Sequence, residues 1–94
     1  MGDNQLETIP ETIGNLNLLQ FLDLGGNKIS TFPEQLTKLT NLDNLGLRSN
    51  LLERIPESIY SLRSLKLISL QGNPLENTLK IKEIFTNLGV KIRI

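Results

Sequence analysis

Leucine and isoleucine return along this chain at fixed intervals rather than in blocks. The segments "LQFLDLGGNKI" from Leu19, "LDNLGLRSNLL" from Leu42 and "LKLISLQGNPL" from Leu65 all fit L-x-x-L-x-L-x-x-N-x-L, with Ile68 in one leucine place, and recur every 23 residues. Between them "IPETIGNL", "FPEQLTKL" and "IPESIYSL" stay in register, and Asn4, Asn27, Asn50 and Asn73 mark one phase. Self-similarity at a fixed period means a stack of small units, none of which can bury its apolar face alone. The L-x-L centre of each unit alternates apolar and polar positions. This predicts a short strand with Leu22 and Leu24, Leu45 and Leu47, and Ile68 and Leu70 pointing inward. Ile9-Pro10, Phe32-Pro33 and Ile55-Pro56 then open the return segment, where Pro fixes one backbone dihedral. Ile13 and Leu16, Leu36 and Leu39, and Ile59 and Leu62 lie three apart, which predicts a single helical or 3-10 turn in each unit. Each asparagine stands where the chain turns after its strand, and a short amide there can bond backbone groups that have no ladder partner.

These motifs resemble the leucine-rich repeat family in its 23-residue form, with an I-P-x-x-I signature after the asparagine. Such arrays occur in Ras-associated scaffold proteins, plant intracellular Ras-group repeat proteins and bacterial repeat proteins including those of spirochaetes. The resemblance covers residues 1 to about 75. It implies an α/β solenoid: a right-handed coil with a parallel, concave β-sheet on one side and 3-10 or short helical turns on the convex side. The expected division is a partial first repeat over 1–18, repeats over 19–41 and 42–64, the start of a last repeat over 65–75, and a C-terminal cap over 76–94.

The two ends depart from the pattern. In "ENTLKIKEIFTNLG", Ile81, Ile84, Phe85 and Leu88 fall at helical spacing, with an Asn or Thr near the start as a cap and Gly89 suited to end the helix. "VKIRI" alternates, predicting a last strand with Val90, Ile92 and Ile94 on one face, in ladder with Ile68 and Leu70 after one added residue. At the other end Met1 stands in the place of Leu24. The coil behind it, with Leu6, Ile9, Ile13 and Leu16, is expected to have nothing stacked on its outer side.

Composition narrows the function. At 94 residues the chain makes one small domain. Its core is asked of 20 Leu and 10 Ile, against one Val and no Ala. With no Cys and no His, it lacks the usual nucleophile, the usual acid-base residue near neutral pH and the commonest metal ligands. The reading is therefore no enzyme, no cofactor and no metal. No apolar run reaches membrane-spanning length and no signal-peptide pattern opens the chain, so a cytoplasmic protein without membrane contact is expected. Net charge is zero, which gives no general attraction to nucleic acid. The charge is nonetheless divided: residues 1–47 hold six acids against two bases, and residues 48–94 eight bases against four acids.

Asp23 and Asp43, from adjacent strands, come nearest to a carboxylate pair and read as solvated surface. "LGGNK" lacks the spacing of a phosphate loop. The outward strand positions remain, free of structural duty. The expected protein-partner surface comprises Phe21, Asp23, Asn44, Arg48, Lys66, Leu67, Ser69 and Gln71, with Phe21 and Leu67 as apolar anchors and Arg48 as a donor to a carboxylate. The alternative is a self-assembling unit, a homodimer paired through Met1, Leu6, Ile9, Ile13 and Leu16 at the N-terminal end.

Overall fold

Four three-residue strands form where the sequence alternates: β1 (Phe21–Asp23), β2 (Asn44–Gly46), β3 (Leu67–Ser69) and β4 (Lys91–Arg93). This computed structural model describes residues 5–94, so the expectations placed on Met1 and Asn4 lie outside the described residues. The strands make one parallel sheet in chain order. Phe21, Asn44, Leu67 and Lys91 share one row, Leu22, Leu45, Ile68 and Ile92 the next, and Asp23, Gly46, Ser69 and Arg93 the third. The ladder runs past the strand ends, for example from the Leu47 N–H to the Ser69 carbonyl at 2.8 Å and from the Ser49 N–H to the Gln71 carbonyl at 2.7 Å.

The inward column is closed. Leu24, Leu45, Leu47 and Ile68 are wholly buried, and Leu22 and Leu70 nearly so. Each return segment makes one 3-10 turn: Glu11–Asn15, Glu34–Lys38 and Glu57–Ser61. Its preceding proline, Pro10, Pro33 or Pro56, accepts the first turn bond from Ile13, Leu36 or Ile59 at 3.0–3.2 Å. Proline serves here because the position asks for a carbonyl and a fixed φ, not for an N–H.

The asparagines stitch neighbouring coils together. Asn50 accepts from the Ile29 N–H at 3.1 Å and donates to the Leu24 and Leu47 carbonyls at 3.0 Å. Asn73 repeats this one coil later, accepting from the Leu52 N–H at 3.0 Å and donating to the Leu47 and Leu70 carbonyls at 2.9 Å. Asn27 accepts from the Leu6 N–H at 3.2 Å and donates to the Leu24 carbonyl at 2.9 Å. One residue before each asparagine the backbone is left-handed, at Gly26 (φ 74°), Ser49 (φ 55°) and Gly72 (φ 75°). Ser49 therefore holds a conformation that its sister coils give to glycine.

The C-terminal helix α1 covers Thr78–Asn87 and buries Ile81 and Phe85 against the last coil. It ends at Gly89 (φ 76°), where the Val90 N–H reaches the Phe85 carbonyl at 2.9 Å and the Gly89 N–H the Thr86 carbonyl at 3.0 Å. That bond pair, with buried Val90 beside Phe85, is a Schellman ending. Three details differ from expectation. Asn77 occupies the N-cap position in a left-handed conformation, and its side chain makes no capping bond. Leu88 is the C-cap residue, still helical in its backbone, and is exposed. Ile92 aligns with Ile68 as expected, but Ile94 is exposed beyond the end of β4.

Candidate functional site

With row Leu22–Leu45–Ile68–Ile92 turned inward, pleating sends the neighbouring rows to the outer, concave face of the sheet. Phe21 stands there with 59% of its surface exposed. Asn44 and then Leu67, both half-buried, continue its row across β2 and β3. Asp23 folds back on its own turn and accepts the Gly25 N–H at 2.9 Å, an Asx-type contact. A Cβ on Gly46 would sit 3.0 Å from that carboxylate, so glycine at 46 leaves the hollow that Asp23 fills. Half-buried Ser69 adjoins Gly46 in the same row, keeping the floor shallow.

Arg48 is exposed and lays its stem over Gly25, where a Cβ would lie 3.0 Å from its Cγ. Lys66, Gln71, Lys91 and Arg93 are exposed toward the β3–β4 side. The eight residues expected at a partner surface thus lie on one face, along or directly beside three adjoining strands. Lys91 and Arg93 extend the same face by one strand. Their register with Leu67 and Ser69 is the signal that places them there.

At the N-terminal end the named residues separate. Ile9 and Ile13 lie in the core, 4% and 6% exposed, and Leu6 is half-buried. Leu16 is 55% exposed, although its counterparts Leu39 and Leu62 are at 0% and 4%. Leu18, which the sequence reading did not single out, is 82% exposed. The available signal was its phase, since Asn41 and Ser64 hold the same place one and two repeats later.

A second concavity of about 700 Å³ opens between the third 3-10 turn and α1, with Tyr60, Ile55, Ile81 and Ile84 among its walls. Burial, reinforced by the charge of Glu57, raises the Tyr60 pKa above its ordinary 10.0. Among the described residues no three His, Cys, Asp or Glu side chains are grouped to hold a metal ion. No helix among them is long and apolar enough to cross a membrane.

Residues 18–39 match the Leucine Rich Repeat family model. The fold is similar to that of the Leptospira interrogans LRR protein LIC12759, with a TM-score of 0.85 and 27% identity over 97% of this chain. Residues 18–39 are thus a leucine-rich repeat, and the fold of the chain is that of a leucine-rich repeat solenoid. Its repeats are also similar to those of an internalin, InlF, from Listeria monocytogenes, with a TM-score of 0.79 and 26% identity over 99% of this chain. The present chain spans 23% and 26% of the length of these two proteins. No curated protein matches it by sequence.

Proposed function

We propose that the chain is a non-catalytic recognition module that holds a protein partner on the concave face of its sheet. Leucine-rich repeat proteins in general mediate protein–protein interaction, and here, Asp23 apart, the outward residues on and beside the first three strands make no side-chain hydrogen bond to another described residue. The observation that carries the reading is Phe21, an aromatic ring 59% exposed on a rigid strand, in one row with Asn44 and Leu67. Aromatic side chains on rigid elements lose little conformational freedom on binding and are frequent anchors. With a partner selected by affinity and purified, titration calorimetry is expected to show Phe21→Ala weakening binding about tenfold or more. Arg48→Glu is expected to weaken it in the same direction, and both variants should keep the far-ultraviolet spectrum of the folded chain. Unchanged affinity in both would move the site off this face.

A second reading, assembly through the N-terminal end, is favoured by the exposure of Leu16 where the equivalent Leu39 and Leu62 are covered. A homodimer joined there would set the apolar end of one coil against its copy.

A further inference from the structure

Charge is unevenly divided over the concave face. The outward positions on and beside β1 and β2 carry Asp23, Asp43 and Arg48, whereas those of β3 and β4 carry Lys66, Lys91 and Arg93 and no acid. These last three side chains are exposed, and none has an ion pair or side-chain hydrogen bond to another described residue. Charge on an edge strand commonly serves to block stray pairing. That purpose accounts for Lys91 and Arg93 on the edge strand β4 but not for Lys66, which adjoins an internal strand. Half-buried Leu67 lies among them, and Phe21 stands two strands away across Asn44.

We infer that this face takes an acidic protein segment in extended form, lying across the strands with carboxylates over β3 and β4 and an apolar side chain between Leu67 and Phe21. The inference rests on the concave-face reading above and adds the chemistry of the partner. Strands stand about 4.8 Å apart, so β1 to β4 measures roughly 14 Å, the span of four or five extended residues. Phe21 and Leu67, roughly 10 Å apart by the same spacing, leave room for one apolar side chain above Asn44 and Gly46. A nucleic acid would satisfy the cations, but its evenly charged backbone would meet Asp23 and Asp43 within that span. An acid-to-base gradient with apolar groups along it suits a segment whose own charge is uneven.

The test uses three fluorescein-labelled probes: the hexapeptide Glu-Glu-Glu-Leu-Ser-Gln, with its carboxylates at one end, its counterpart with Lys for Glu, and a single-stranded oligonucleotide of the acidic peptide's net charge. Anisotropy measures affinity at low and physiological salt, and amide shifts of the isotope-labelled chain locate the site. The acidic peptide is expected to bind, to loosen as salt rises, and to shift Leu67, Ser69, Lys91 and Arg93. Lys91→Glu with Arg93→Glu is expected to weaken it about fivefold or more, and Lys66→Glu in the same direction. Lys82→Glu, on the exposed side of α1, should leave it unchanged. Amide dispersion reports whether each variant is folded. Binding of no probe, tighter binding of the oligonucleotide, or an equal loss in Lys82→Glu would overturn the inference. If only the basic peptide binds, and shifts Phe21 and Asn44, the acidic partner is refuted while the concave site stands. Shifts confined to α1 or the 3-10 turns would refute the concave site itself.

Discussion

Asn50 shows what one amide contributes to the stack. Its side chain is 3% exposed and reaches the Ile29 N–H and the carbonyls of Leu24, Leu47 and Arg48 at 3.0–3.2 Å. None of these backbone groups can turn to water without opening the coil. Removing the amide leaves a buried donor and buried acceptors short of partners, at a cost of roughly 1–3 kcal/mol for each group stranded. Asn50→Ala is therefore expected to lower unfolding free energy by about 3 kcal/mol, a large share of the 5–15 kcal/mol typical of a domain. Asn73 makes the matching bonds but is only half-buried, so water can replace part of them. Urea unfolding should rank Asn50→Ala well below Asn73→Ala in stability. Equal losses, or a loss under about 1 kcal/mol at position 50, would show that the ladder is ornamental. The phase of these asparagines was legible in the sequence because the turn they serve recurs in every coil. The left-handed backbone at Ser49 was not, since serine is an ordinary turn residue. Only Gly26 and Gly72 in the same phase disclose what that position demands.

Element by element, what repeats could be read and what happens once could not. The strands, their inward rows and the 3-10 turns follow from a pattern spelled three times, and Gly89 marks the end of α1 by a backbone need that glycine meets best. Where α1 docks has no repeat phase to set it. Tyr60 illustrates the difference: in the sequence it is a filler at the end of "IPESIY", but in the fold its ring meets Phe85 of α1 edge-on, with centroids 5.3 Å apart at 65°. The docking leaves its hydroxyl partly desolvated beside Glu57, and both effects disfavour the phenolate. An unfolded tyrosine ionises near 10.0, so above that pH the unfolded chain holds fewer protons than the folded one. The contribution is therefore complete below pH 10 and is lost as pH climbs through the raised folded-state value. Urea midpoints at pH 8 and pH 11 are expected to fall further in the wild type than in Tyr60→Phe, where the titrating group is gone. Lysine titration is common to both chains and cancels in the comparison. Identical falls would mean that the hydroxyl is as well hydrated in the fold as out of it.

For the molecule as a whole, the assembly reading is tested at the first described coil. Leu16 and Leu18 are exposed there, whereas Ile9 and Ile13 are already covered by the next coil and cannot take part. Burying a fully exposed leucine contributes about 1.5–3 kcal/mol; with Leu16 only 55% and Leu18 82% exposed, the four leucines of a two-fold pair would contribute roughly 4–8 kcal/mol. Association itself costs an estimated 4–15 kcal/mol, which leaves at best a weak dimer, of about millimolar affinity or looser. Charge then decides the salt response. Head-to-head pairing brings together two halves that each carry six acids against two bases, so salt should screen their repulsion and tighten the pair. Head-to-tail stacking would set the acidic half against the basic one and loosen with salt, but α1 and β4 stand over the receiving end of the sheet. Light scattering after size exclusion is thus expected to show mass rising from one chain toward two as concentration and salt increase together. Leu16→Gln with Leu18→Gln should hold the mass at one chain throughout. Were the wild type to remain a single chain at high concentration and high salt, the assembly reading would be lost. The functional reading would then rest on the concave row around Phe21.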